Sequence, residues 1–142
     1  MKMAAELEDC PCTGKSMSNL MAPWILLTLH SEGATHGYEL ARIIKKHHEA
    51  LGIGLNLTGL YRHLYALEQR GMLLSQWDRP DRGLAKRSYS LTPEGEECLK
   101  NWVQTLASHA RLIASFFDHA GKSLPEVPIP AISVFPPSRP TS

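Results

Sequence analysis

The run Leu57-Thr-Gly-Leu-Tyr-Arg-His-Leu-Tyr-Ala-Leu-Glu-Gln-Arg-Gly71 has the pattern of a short amphipathic helix that ends at a glycine. Its leucines repeat at a four-then-three spacing and share one face, which we expect to be buried: Leu60, Leu64 and Leu67. At about 100° per residue, the opposite face carries polar and aromatic side chains: Thr58, Arg62, Tyr65 and Gln69. Tyr61 lies on the flank of this face. Arginine can bind guanine or phosphate through two hydrogen bonds, and Thr and Tyr hydroxyls can donate to phosphate. The helix therefore suits a DNA major groove, with an ordinary solvated amphipathic helix as the alternative.

The charge distribution also favours a polyanion-binding face. The 142-residue chain is 43% hydrophobic and 20% charged, and its net charge is only +1. Residues 36–89, however, carry nine Lys/Arg and five acidic residues, a balance of +4 between flanks that carry −3. A basic centre between acidic ends is typical of a protein that binds nucleic acid.

The chain has the composition of a soluble domain with extensions. No apolar run approaches the ~18 residues of a membrane span, and the acidic start lacks the apolar core of a signal peptide. We therefore expect a cytoplasmic protein with no membrane partner. Three cysteines make a full disulfide framework improbable.

An apolar first helix is predicted from about Ser18 to His30, with Pro23 in its first turn. Its apolar side chains, among them Trp24 and Leu27, cover most of the circumference. We therefore expect it to be buried on several sides, including against another subunit.

A second helix is predicted from Thr35 to His48, ending before a glycine-containing loop. Its buried stripe is expected to consist of Leu40, Ile43, Ile44 and His47. As a pair, however, the adjacent His47 and His48 are interpreted as surface residues, because neighbours on a helix point about 100° apart and cannot chelate one metal. Two helices joined by a short glycine-containing connection form a helix-turn-helix pattern.

A hairpin is predicted after these helices. Alternating runs, Leu73–Asp78 and Arg87–Leu91, flank a turn-forming segment with three cations: Arg79, Arg82 and Lys86. A hairpin with a basic tip after such a helix is the wing of a winged helix, whose arginines can enter a narrow minor groove. The alternative is a solvated hairpin loop.

The last predicted helix starts at Thr92-Pro93, where Thr92 can cap it and proline suits the first position. Apolar residues follow at a heptad spacing: Leu99, Val103, Leu106, Ala110, Ile113 and Phe117. Trp102 and Phe116 flank this stripe. This stripe is longer than one winged helix needs, so we interpret it as a dimerisation helix that ends at Gly121. Six of the ten prolines follow between residues 123 and 142, and they predict an extended or disordered tail.

The predicted organisation is thus mainly α-helical with a small β-hairpin wing. It comprises an arm (1–17), a winged helix-turn-helix domain (18–92), a dimerisation helix (93–121) and a proline-rich tail (122–142).

The roles of the cysteine pair and of Trp102 stay open. Cys10 and Cys12 form a Cys-x-Cys pair that can bind a soft metal or oxidise, with Cys98, His30 or His109 as further ligands; a reduced, unligated arm is the alternative. Trp102 could stack on a flat aromatic effector, or simply pack in an interface.

Three motifs lie in one order: His36-Gly-Tyr-Glu-Leu40, Thr58-Gly-Leu-Tyr-Arg62 with Leu64, Leu67, Glu68 and Gly71, and Lys86-Arg87-x-Tyr89-x-Leu91-Thr-Pro-Glu-Gly95. Together they resemble the PadR family of transcriptional regulators over roughly residues 18–121, in its shorter form with one C-terminal helix. The resemblance implies a homodimeric repressor that binds inverted-repeat DNA and is released by a small-molecule effector. It implies that the matching positions approach DNA: Tyr38, Thr58, Gly59, Tyr61 and Arg62 from the helices, and Lys86 and Arg87 from the wing.

Nothing in the sequence favours an enzyme, because it contains no nucleophile–base pair, metal triad or phosphate loop. No cofactor is expected apart from the metal considered at the Cys pair. The alternatives to a DNA-binding regulator are a winged-helix module that binds only protein and a repressor that senses metal or thiol state through Cys10 and Cys12.

Overall fold

A computed structural model describes residues 10–13, 20–54, 58–80 and 83–129. It contains a 3₁₀ turn, Pro11–Thr13, four α-helices and three strands. The helices are α1 (Met21–Glu32), α2 (Gly37–Ala50), α3 (Thr58–Gln69) and α4 (Pro93–Ser123); the strands are β1 (Thr35–His36), β2 (Leu73–Asp78) and β3 (Lys86–Leu91). The predicted class, helices with a β-hairpin wing, is confirmed.

The core lies where α1 packs against α2 and α3. The predicted inner face of α3 is confirmed, since Leu60, Leu64 and Leu67 are at most 1% exposed. The other fully buried side chains belong to α1, α2 and β2: Ile25, Leu26, Leu29, Leu40, Ile44 and Leu73. Each such side chain contributes about 1.5–3 kcal/mol through burial, so this cluster fixes α3 and leaves its opposite face in solvent.

The three strands form one antiparallel sheet in the order β1-β3-β2. Leu73 pairs with Leu91 at the base of the hairpin and Asp78 with Lys86 near its tip. The prediction that the second helix starts at Thr35 is wrong, because Thr35 pairs with Tyr89 and the helix begins only at Gly37. A helical pattern along one segment contains no information about pairing with a distant strand. The pairing satisfies backbone hydrogen-bonding groups of Thr35, a β-branched residue that suits a strand.

The buried face of α2 also differs from the prediction. It follows Leu40, Ile44 and His48, while His47 is exposed. The Nδ1–H of His48 donates to the carbonyl oxygen of Ile44 at 2.9 Å, so the imidazole is buried with that polar atom satisfied. The His47 ring stacks on Trp24 with centroids 5.2 Å apart, which leaves Trp24 half-buried.

The start of α4 is capped as predicted. The N–H of Gly95 donates to Thr92 Oγ1 at 2.9 Å, and that hydroxyl donates to the carbonyl oxygen of Gly71 at 2.7 Å. The predicted end at Gly121 is wrong, because the helix continues to Ser123; an isolated glycine weakens a helix without necessarily ending it. Similarly, the first helix runs Met21–Glu32 rather than 18–30.

The chain divides into two compact units, Met1–Leu99 and Lys100–Ser142. In the second unit, the N–H of Leu124 donates to the carbonyl oxygen of Ala120 and that of Val127 to Leu124, so the first residues of the predicted tail form turns. Most of the predicted arm (1–9 and 14–17) and the tail from residue 130 lie outside the described residues. Within the described part of the chain, no helix has the length and apolarity of a membrane span.

Candidate nucleic-acid interface

The outward face of α3 carries the exposed aromatic and basic side chains that its periodicity predicts. Tyr61 and Tyr65 are 54% and 63% exposed, and Arg62 and Gln69 are exposed as well. The side chain of Thr58 lies outside the described residues. These groups stay outside the core because the leucines on the other side of α3 are buried. The exposed groups therefore form one surface along the outward face of α3.

Gly59 lies in the first turn of α3 with room around it. A Cβ atom built there would meet only His63 Cδ2, at 4.0 Å. Packing among the described residues therefore leaves space at Gly59, which is consistent with the approach of this position to DNA that the family resemblance implies.

The wing presents a second basic surface beside the start of α2. Lys86 is exposed, with its Nζ 5.2 Å from the centroid of the Tyr38 ring, and Tyr38 in turn stacks on His36 at 5.9 Å. Arg79 is exposed at the end of the hairpin strand, whereas Arg82 lies outside the described residues. Tyr38, predicted only from the family resemblance, thus lies against a wing cation.

Arg87 occupies a different environment from Lys86. Its Nη2 donates to Glu68 Oε2 at 2.8 Å and its Nε to Ser75 Oγ at 2.9 Å. Ser75 Oγ donates to the other Glu68 oxygen at 2.6 Å. The guanidinium also lies within 6 Å of the Trp77 and Tyr89 ring centroids. We call Glu68, Ser75 and Arg87 the wing clamp, because they join α3 to both hairpin strands.

A second polar contact joins the hairpin to β1. The Nε2–H of His36 donates to Asp78 Oδ2 at 2.7 Å, across 42 residues of sequence. Asp78 is the last residue of β2, so this bond and the wing clamp attach the hairpin at two levels. Sequence periodicity showed neither contact; the only signal was that an acidic residue stands at each of these positions.

A shallow recess of about 170 Å³ lies between these elements, with Tyr38, Tyr61, Trp77, Lys86 and Tyr89 in its lining. Burial raises the pKa of the Tyr89 phenol, so Tyr89 stays neutral at physiological pH. Gly37 forms part of the wall, and a Cβ there would lie 3.1 Å from Tyr61 Cε1. The recess brings residues from α2, α3 and the wing onto one aromatic, cationic surface.

The residues predicted at a dimer interface differ in their exposure to solvent. Leu99 is buried within the chain, and Trp24 and Trp102 are half-buried. Other predicted positions keep large apolar surfaces in solvent: Leu27, Val103, Ile113 and Phe116. Leu106, Ala110 and Phe117 are intermediate. Part of the apolar face of α4 is therefore exposed in the portion of the chain that the structure describes.

The predicted metal ligands do not come together as a larger set. Cys10 immediately precedes the 3₁₀ turn, Cys12 lies within it and Cys98 is half-buried on α4, and all three have free thiols. His30 Nδ1 instead lies 2.9 Å from Glu96 Oε1, within ion-pair distance. Among the described residues, no group of three or more His, Cys, Asp or Glu side chains could hold a metal ion.

Comparison with known proteins places this fold among transcription factors. Residues 25–101 match the model of the "Transcriptional regulator PadR-like family". A transcriptional regulator from Clostridium thermocellum is 26% identical, with a TM-score of 0.57 over 66% of this chain and 90% of that one. A PadR family regulator from Clostridium difficile is 21% identical, with a TM-score of 0.59 over 68% and 97%.

A third structure was solved with nucleic acid. Bacillus subtilis PadR in complex with operator DNA is 22% identical, with a TM-score of 0.52 over 60% of this chain and 47% of that one. At this identity the likeness concerns the fold. No curated protein sequence gives a significant match.

Proposed function

The chain belongs to the PadR-like family of transcriptional regulators, and from this we propose that it binds operator DNA through α3 and the wing. The observation that carries the proposal is the surface shared by Tyr61 and Arg62 of α3, Lys86 of the wing and Tyr38 of α2. The operator complex of B. subtilis PadR, a protein of similar fold, supports it.

We assign different roles to the two parts of this surface. The α3 face, about one helix wide, fits the major groove, where Arg62 can read a guanine and Tyr61 and Tyr65 can donate to phosphates. Lys86 and Arg79 supply charge for the sugar–phosphate backbone and the minor groove. Thr58 and Arg82 complete the predicted set, and Gly59 permits close approach at the start of the helix.

Arg87 receives a positioning role in this proposal rather than a phosphate contact. Its guanidinium donates to Glu68 and Ser75 and lies beside two aromatic rings, so turning it to DNA would break two hydrogen bonds. The wing clamp instead sets the angle between the hairpin and α3, which determines whether both can contact one duplex.

We further propose that the regulator is a homodimeric repressor in the cytoplasm that binds an inverted repeat and is released by an effector. The exposed apolar residues of α4 support the dimer, since a long apolar stripe in solvent marks an interface. A two-fold dimer matches two half-sites of opposite orientation. Trp102, half-buried on the same helix, is our candidate for stacking on an aromatic effector. We assign no catalytic role to the chain.

The test is fluorescence anisotropy with the chain's own upstream DNA and a scrambled duplex at about 150 mM salt. Specific recognition predicts own-site binding about 10³-fold or more tighter than scrambled binding. Arg62→Ala should cost about 1–3 kcal/mol on the own site alone. Lys86→Ala should weaken binding to both duplexes. It should also reduce the salt slope, the slope of the logarithm of the binding constant against the logarithm of salt concentration, by about one. Arg111→Ala, an exposed cation of α4 outside the proposed surface, should change neither.

Own-site affinity that is unchanged by Arg62→Ala would refute the role in base recognition. Equal weak binding to duplexes from every promoter tested would refute sequence-specific regulation and favour a winged-helix module that binds protein.

A further inference from the structure

The 3₁₀ turn near the start of the chain brings two cysteines together. Cys10 precedes the turn and Cys12 lies within it, with Pro11 between them. The backbone N–H of Cys12 donates to Cys10 Sγ at 3.4 Å, so the Cys10 side chain folds back over the turn towards Cys12. The Thr13 hydroxyl donates to the Cys10 carbonyl oxygen at 2.9 Å and closes the turn. Both thiols are free and reach solvent.

The two sulfur atoms are electronically different. The backbone N–H of Cys12, and then the Cys12 thiol, lower the pKa of Cys10 by hydrogen bonding to its sulfur. The same thiol–sulfur hydrogen bond raises the pKa of Cys12, whose proton it holds. The two sulfur atoms therefore lie within hydrogen-bonding distance of each other, close enough to bind one metal ion, which takes cysteine side chains as thiolates.

The number of ligands restricts the kind of metal. Zinc in structural sites takes four ligands in a tetrahedron, and no described group supplies three. Thiolates are soft ligands that select Cu(I) among biological metals, and Cu(I) accepts two thiolates in a near-linear arrangement. We propose that Cys10 and Cys12 form a two-thiolate site for one Cu(I) ion per chain.

Binding is a ligand exchange without electron transfer. Cu(I) leaves the nitrogen ligands of its carrier as one Cu–S bond forms at Cys10 and one at Cys12, and the thiol protons leave to solvent. One Cu(I) per chain therefore releases up to two protons. Cys98 stands apart from this turn on α4 and provides a matched single-cysteine control.

The experiment titrates the reduced full chain, without oxygen, against the coloured Cu(I)–bicinchoninate complex. We expect one Cu(I) to be withdrawn per chain. Cys10→Ser and Cys12→Ser should each weaken binding at least ~100-fold, beyond the ~10–100-fold that loss of a supporting contact costs a metal site. Cys98→Ser should bind as the wild type does. Circular dichroism confirms that the variants fold.

Retention of tight 1:1 binding in both turn variants, or no withdrawal of copper by the wild type, would overturn the proposal. A parallel titration with Zn(II) gives a third outcome. Half an equivalent of tightly bound zinc per chain, lost in Cys10→Ser, would overturn it in favour of a four-thiolate site shared by two chains. The assay contains no DNA, so its result is independent of operator binding.

Discussion

The wing clamp makes the strongest quantitative prediction, tested by a double-mutant cycle of Glu68→Gln and Arg87→Met. Glutamine keeps the shape of Glu68 without its charge, and methionine keeps an apolar stem like that of Arg87 without the guanidinium. A hydrogen bond to a charged group is worth about 1.5–3 kcal/mol. The two side chains are 23% and 38% exposed, so solvent screening reduces this value. We expect a coupling free energy of about 1–2 kcal/mol, between surface and buried ion pairs.

The chain contains its own control pair. Arg42 also binds a glutamate, Glu39, through two hydrogen bonds, three residues apart on α2. Hydrogen bonding to Arg42 lowers the pKa of Glu39, yet Arg42 is largely in solvent. Such i,i+3 pairs contribute only about 0.2–0.5 kcal/mol. The same cycle with Glu39→Gln and Arg42→Met should therefore give no more than that.

The assay is urea unfolding followed by circular dichroism, with the unfolding midpoint and the dependence of stability on urea fitted for each of the seven proteins, since the two cycles share the wild type. A Glu68–Arg87 coupling no larger than the Glu39–Arg42 coupling would refute the view that the clamp fixes the wing. DNA binding separates the two roles of Arg87. A positioning role predicts that Glu68→Gln and Arg87→Met weaken operator binding alike at constant salt slope. A phosphate contact predicts a slope lower by about one for Arg87→Met alone.

Three further predictions concern α4. Gly95→Ala should destabilise the protein by about 1–3 kcal/mol, because the new Cβ would lie 2.1 Å from the Met72 carbonyl oxygen. In Gly121→Ala the new Cβ would lie 3.7 Å from Ile129 Cδ1, an ordinary van der Waals distance. This substitution should stabilise α4 by about 0.5–1 kcal/mol. Equal urea midpoints for the wild type and Gly121→Ala would contradict this expectation. Ile113→Asp should convert a dimer to folded monomer in sedimentation analysis, since Ile113 is 49% exposed in the single chain, whereas Ser108→Asp should not. An unchanged mass for Ile113→Asp would exclude α4 as the interface.

Local patterns in the sequence were sufficient for the helix that carries the proposed DNA contacts. The spacing of Leu60, Leu64 and Leu67 identified the buried face of α3, and the same geometry placed Arg62 and Tyr65 in solvent. Thr92 followed by proline correctly predicted a capped helix start. These features depend on residues within one or two turns of each other, and helical geometry fixes which of them share a face.

The environment of individual side chains depended on distant parts of the chain. Sequence periodicity assigned Thr35 to a helix, yet its pairing with Tyr89 makes it a strand. The stripe of α2 was placed on His47, whereas packing buries His48. Helical spacing indicates that a face is apolar, but the neighbouring elements decide which residue at its edge is covered.

The sequence by itself thus determined the order of the elements, the exposed face of α3 and the basic hairpin. Only the tertiary structure decided how the hairpin is held. Arg87 looked like a wing cation equivalent to Lys86, but folding places it against Glu68, 19 residues away. His36 likewise reaches Asp78 across 42 residues. The physical reason is that an ion pair forms wherever the packed core brings two charges together, and no local repeat in the chain specifies that distance.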